Sequence, residues 1–156
     1  MSKARYSVQT GAAVALSAAT AKTVLAVIAP AQFGVDLIGY ELAFDGVTAS
    51  AVPVLVEICA STFATNSTPG TGNTTATVNQ IAGRTITNGF TGFYASTSEP
   101  TVLTPIDSFL VTPNGGTVIR DYAGATPDSP VSNGFVIRCT APAAVNCRAT
   151  LVFERC

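Results

Sequence analysis

Three aspartates, Asp107, Asp121 and Asp128, come nearest to a reactive set in this chain of 156 residues. Two carboxylates about 5 to 9 Å apart are what glycoside hydrolysis requires, one as acid and one as nucleophile or base. Each of the three stands beside a turn or a strand end, where Asp commonly bonds the backbone instead. The chain has no histidine, which removes His-dependent acid–base catalysis and most zinc sites together. Cys59, Cys139, Cys147 and Cys156 lack the paired C-x-x-C spacing of a metal site. Cys139 and Cys147 flank a short Ala-Pro-Ala loop and are the one plausible disulfide, although an inward cysteine on a strand more often serves as a small apolar residue. Nucleophile-elbow and phosphate-loop patterns are absent from the sequence. The reading is therefore a non-enzyme with no catalytic, metal-binding or cofactor-binding residue.

Tyr6, Tyr40, Phe90, Phe93, Tyr94 and Tyr122 could form a platform on which a sugar stacks. Such residues more often fill a core or a subunit interface, and Tyr40 already has the parity of a core residue. Charge separates the remaining classes. Eight basic and nine acidic side chains leave a net charge of −1, and no basic cluster exists to neutralise phosphates, so nucleic acid is not an expected partner. Gly11 to Ala21, preceded by Lys3 and Arg5, is a poor imitation of a secretory signal, with Ala where Leu belongs. No run approaches the roughly 18 apolar residues of a membrane span. Charged residues make up 11% of the chain and hydrophobic ones 47%, against about 25% charged in an average soluble domain. A surface with so few charges is expected to be covered partly by copies of itself, as an obligate oligomer.

The elements that must carry these residues are strands. Ile38, Tyr40, Leu42 and Phe44 alternate with polar or small neighbours, and Val52, Val54, Val56 and Ile58 repeat the pattern after Asp45-Gly46. Pro53 has no amide donor, so the second of these strands is expected to lie at an edge or to begin there. Thr23 to Ile28 is apolar on both parities, as in a strand covered on both faces. Ser61 to Asn79 reads as a long exposed Thr/Asn/Gly loop with Pro69-Gly70 as its turn. It holds two matches to the N-glycosylation pattern, at Asn66 and Asn73, of a kind that arises by chance in such loops. Thr85 to Ala95 reads as a strand or strand pair. Ser108 to Thr112 and Thr117 to Tyr122 read as a hairpin around Pro113-Asn114-Gly115-Gly116. Ala123 to Pro130 is a second loop, followed by strands at Gly134 to Thr140 and Val145 to Glu154. Eight or nine short strands without helical periodicity predict an all-β fold, a jelly-roll-like antiparallel β-sandwich with little or no helix. The expected layout is an N-terminal arm over residues 1–11 and a single sandwich domain over 12–156.

The run VALSAATAKTVLAVIAPAQFGVDLIGYELAFDGVTASAVPVLVEI, then SEPT, PNGG and TAPAAVNCRATLVFE, resembles a family of small structural proteins of tailed bacteriophages, especially those of actinobacteria. These are minor capsid or decoration proteins. The resemblance implies a sandwich similar to the tumour-necrosis-factor fold, a homotrimer, and a place on the outer capsid surface of the virion where capsomers meet. The partners it implies are copies of the chain itself and the phage major capsid protein, with synthesis in the bacterial cytoplasm. A trimeric fibre head or carbohydrate-binding module for host attachment is the alternative. Arg5, Tyr6, Val8, Phe90, Phe93 and Tyr94 are the expected interface residues. Arg5 and Tyr6 lead because a planar guanidinium and a large stiff ring make good anchors. On that reading, deleting residues 2 to 9 leaves stability nearly unchanged and reduces binding; the alternative is that the arm adds an edge strand to its own sheet, and a large loss of stability on deletion would show it.

Overall fold

The computed structural model describes residues 3–45, 52–63, 72–114 and 116–156. Among them the strands run β1 (Arg5–Gln9), β2 (Val14–Leu16), β3 (Ala21–Ile28), β4 (Val35–Asp45), β5 (Val54–Thr62), β6 (Thr74–Ala76) and β7 (Val78–Ala82). They continue as β8 (Thr91–Tyr94), β9 (Val102–Val111), β10 (Thr117–Asp121), β11 (Asp128–Ser129), β12 (Asn133–Thr140) and β13 (Val145–Arg155). No helix occurs among the described residues. One sheet has the order β10-β4-β13-β1-β7, with β11 on β4 and β2 on β13. The other has the order β6-β8-β3-β12-β5-β9, and the two antiparallel sheets pack face to face as an all-β sandwich.

Period-two alternation decides which side chains meet between the sheets. In β13, Val145, Cys147, Ala149, Leu151 and Phe153 are buried while Asn146, Arg148 and Thr150 face out. The neighbouring β4 supplies Leu37, Tyr40 and Leu42 to the same core. Leu37 and Tyr40 share a face despite their odd spacing because the β4–β13 register shifts between Val152 and Phe153, and a bulge restores inward parity. From the opposite sheet come Val54, Val56 and Ile58 of β5 with Phe135, Ile137 and Cys139 of β12. Burying side chains of this size contributes roughly 1.5 to 3 kcal/mol each. The middle of β3 is buried on both faces, as its unbroken apolar run predicts. Its Ala26 belongs to a second cluster with Cys59, Phe93 and Val136 on the outer side of the six-stranded sheet, against which Phe63 and Leu103 pack.

Several elements depart from the sequence reading. Residues 5–9 of the expected arm are not free, because β1 lies inside its sheet between β13 and β7. Tyr6 sits opposite Phe153 on one side and Gln80 on the other. The alternation of Tyr6 and Val8 with polar neighbours is itself a half-buried strand pattern, which is why the segment is taken into the sheet. The expected hairpin at 108–122 does not form: β9 pairs with β5 and β10 with β4, so the chain crosses from one sheet to the other. A Pro-Asn-Gly-Gly signal fixes a reversal and leaves the pairing partner open. Part of the expected loop over 61–79 is strand, namely the end of β5, β6 and the start of β7. Asn66 and Pro69-Gly70 lie outside the described residues. Within 85–95 only Thr91–Tyr94 is strand, and β11 interrupts the expected loop over 123–130. Pro53 immediately precedes β5, which begins at Val54 as an interior strand.

Candidate functional site

Along one flank of the sandwich, β9 closes the six-stranded sheet and β10 closes the other. Their joining segment is short, so both edges face the same side. Asp107 of β9 points inward there, since its partner in β5 is the buried Ile58. Its Oδ2 accepts hydrogen bonds from the phenols of Tyr40 at 3.0 Å and Tyr122 at 3.3 Å. The Arg120 Nε lies 3.6 Å from the same oxygen, and the guanidinium stands 5.2 Å from the centre of the Tyr122 ring. The Tyr40 ring stacks on Phe109 with centroids 6.0 Å apart. One carboxylate of one sheet edge therefore holds three side chains of the other. Burial and then the bond to Asp107 push the Tyr40 phenol well above its ordinary value near 10, while burial and the Asp107 charge push Tyr122 up to about 12.

Apolar side chains border this latch on both sides. Leu110 of β9 is 67% exposed and Ile119 of β10 is 73% exposed. Val102 and Ile106 of β9 are also exposed, as is Val52 just ahead of the Val54 that pairs with Val111. Of the seven large hydrophobic residues found exposed among the described residues, five thus gather at this flank, with Ile81 and Val131 elsewhere. Alternation turns Leu110 to the outer face of the six-stranded sheet and Ile119 to the outer face of the other, so these side chains stand along the two rims of the flank, where exposed apolar groups in such number favour a contact. The edge backbone is blunted: Pro105 lacks an amide donor, and the β9–β5 register shifts between Ile58 and Cys59. Both devices hinder open-ended strand addition and leave side chains as the available contact.

The residues expected at an interface are placed differently. Tyr6, Val8, Phe90 and Phe93 are buried within the chain itself. Tyr6, Phe90 and Phe153 form an aromatic cluster with centroids 4.8 to 6.0 Å apart. Phe93 lies edge-on to Phe63 in the outer cluster. These four are core anchors and present no surface to a partner. Arg5 is partly exposed and bonds Glu154 opposite it through Nη2 at 2.9 Å and Nε at 3.1 Å. Tyr94 is half-buried and packs against the core. Five of the six candidate aromatics divide among three groups, Tyr6 with Phe90, Tyr40 with Tyr122, and Phe93 apart, and with Tyr94 they make no common sugar platform. The three aspartates do not converge either. Asp121 pairs with Gly39, one position from the Arg120–Tyr40 pair, and so projects from the opposite face of its sheet to Asp107. Asp128, in β11, sits opposite Asp36 of β4.

All four cysteines are free, and Cys156 alone is exposed. No group of three or more His, Cys, Asp or Glu suited to a metal occurs among the described residues. On the outer face of the six-stranded sheet, Glu57 and Arg138 pair across strands at 2.8 Å. Burial pushes the nearby Cys59 thiol up to about 11, against an opposing pull from Arg138. A depression of about 290 Å³ at one end of the sandwich is lined by Ser17, Thr20, Lys22, Ser96, Thr97 and Glu99. No described helix is long and apolar enough to cross a membrane. Comparison with protein-family models, characterised proteins and solved structures finds no match.

Proposed function

We propose that this chain is a structural virion protein, a decoration protein that binds the outside of a tailed-phage head as a homotrimer where capsomers meet. The observation that carries the reading is the concentration of exposed apolar side chains on and beside the two edge strands β9 and β10. The ten residues of β9 span about 34 Å at ~3.4 Å each. Two sheets about 10 Å apart, with their outer side chains, make the flank roughly 20 Å wide. The flank as a whole, about 700 Å² with the exposed apolar side chains along its rims, approaches the ~800 Å² per partner of a stable interface. The strand orders β10-β4-β13-β1 and β9-β5-β12-β3 support a jelly roll, because the chain changes sheets between β3 and β4, β4 and β5, β9 and β10, and β12 and β13. The resemblance to phage decoration proteins supplies the particle, and the major capsid protein as partner, with no part for nucleic acid, a membrane or catalysis.

The test combines sedimentation with electron cryomicroscopy of heads that lack the protein. A trimer that occupies the heads supports the proposal, and Leu110→Lys with Ile119→Lys abolishes the trimer. A compact monomer at all concentrations, or a trimer that leaves the heads bare, overturns it. The alternative of a fibre head or carbohydrate-binding module draws on the depression at Ser96, whose buried hydroxyl has no bonded partner. Its hydroxyl-rich lining, with one ammonium and one carboxylate, suits a neutral polyol. Binding to a glycan array that Glu99→Gln abolishes would favour that alternative.

A further inference from the structure

Cys139 and Cys147 lie on consecutive strands of different sheets, and both side chains are fully buried in the interior between those sheets. Their partners identify the inward side: Cys139 stands opposite the buried Val56, and Cys147 opposite Phe44 and Val14. Four residues, Ala141 to Ala144, carry the chain from β12 to β13, so the two cysteines flank the short crossover between the sheets, both on the core side. The neighbouring Cys147 thiol, together with burial, raises the Cys139 thiol well above its ordinary value. The other two cysteines are held away. Cys59 lies in the cluster on the opposite face of the six-stranded sheet, and Cys156 is at the exposed chain end beside Gly34.

We propose that Cys139 and Cys147 are a disulfide-forming pair that bonds one sheet to the other when the protein meets a low-molecular-weight disulfide such as oxidised glutathione. One thiolate attacks the small disulfide, releasing one small thiol and leaving a mixed disulfide on the protein. The second thiolate then attacks the protein sulfur of that mixed disulfide and releases the second small thiol. The protein loses two electrons, the small disulfide gains them, and the two cysteine protons end on the released thiols. Burial withholds both sulfurs from solvent in the closed sandwich, and the raised thiol of Cys139 leaves little thiolate. The reaction is therefore slow in the folded state and fast when the strands open. The bridge would close a loop of about nine residues, for which chain-entropy reasoning gives a rise in melting temperature of about 5 to 10 °C.

The experiment uses the full chain, reduced, unfolded in urea and refolded in a buffer of reduced and oxidised glutathione. A parallel sample stays folded. Remaining thiols are alkylated, and the protein is digested and read by mass spectrometry. The expected result after refolding is a cross-linked peptide pair containing Cys139 and Cys147, two hydrogen masses lighter than the reduced pair, with Cys59 and Cys156 alkylated. The folded sample should form the same link many times more slowly, and the linked protein should melt higher by the stated amount until reductant is added. Cys59→Ala with Cys156→Ser should form the link equally well. Four alkylated cysteines after refolding, glutathione retained on Cys139 or Cys147, or a link to another cysteine would each overturn the proposal, as would a linked protein that melts no higher.

Discussion

Replacing Asp107 with alanine removes the acceptor that ties β9 to β4 and β10. Tyr40 is only 3% exposed, so its phenol is left without a partner and without water, a loss of about 1 to 3 kcal/mol. Tyr122 is partly exposed and regains water, which reduces its share to roughly 1 kcal/mol. The Arg120 guanidinium is 54% exposed and 3.6 Å away, so solvent screening leaves that pair close to zero. The total is about 2 to 4 kcal/mol, equivalent to a fall in melting temperature of roughly 5 to 15 °C for a domain of this size. Asp107→Asn keeps a neutral acceptor and should lose about half as much. Urea unfolding of Asp107→Ala, Tyr40→Phe and the double variant measures the coupling, expected at about 1 kcal/mol or more. Additive effects, or an Asp107→Ala protein that melts within 2 °C of the parent (roughly the resolution of such a shift), would refute the reasoning. The pH dependence has a definite sign. Both phenols have folded values raised above the unfolded value near 10, so their stabilisation is complete below pH 10; the Tyr122 share is lost as pH climbs from there through about 12, and the Tyr40 share is lost in the same direction. Tyr122→Phe should flatten part of that alkaline loss, as followed by unfolding between pH 9 and 12, the window set by the Tyr122 value.

Gly134→Ala should prevent folding or cost several kcal/mol, because an added Cβ would fall on the Val27 carbonyl oxygen where β12 meets β3; soluble expression and a urea midpoint test this. Deleting residues 2 to 9 should remove at least about 4 kcal/mol, since it exposes the partners of Tyr6 and Val8, leaves β7 unpaired and opens one edge of β13; a melting temperature near that of the full chain would contradict the placement of β1. Glu57→Gln should lose about 1 to 3 kcal/mol by leaving the half-buried Arg138 with a neutral partner, and Glu57→Met with Arg138→Met should recover most of it in the same urea assay.

How much of the fold was legible depends on whether the information is local. The last strand, expected over Val145 to Glu154, is found at Val145–Arg155, because one face of it is wholly apolar and period two leaves no other reading. The sandwich follows from many such segments. Strand partners are a different matter. Phe109 and Val111 on one side of Pro113-Asn114-Gly115-Gly116, and Val118 on the other, have the same alternation whether β9 and β10 pair with each other or with strands some 50 to 80 residues earlier in the chain. A turn signal carries no term for the sheet on the far side.

The same limit explains the candidate site. Asp107 and Tyr40 are 67 residues apart, and nothing in either segment names the other. One signal was present: Asp107 shares parity with Phe109 and Val111, and a carboxylate on the core face of a strand needs donors from elsewhere. Among the tyrosines, Tyr40 has core parity and a polar tip that must also be satisfied. Matching an inward acid to an inward phenol would have joined them without any structure. The expected anchors Tyr6, Val8, Phe90 and Phe93 failed for the complementary reason, since aromatic and apolar residues are enriched in cores and in interfaces alike. What separates the two is which face of the sheet a residue takes. Leu110 and Ile119 are exposed because alternation turns them to the outer faces of their sheets, opposite Leu55 and the exposed Glu41, while their neighbours Phe109 and Arg120 turn toward the other sheet.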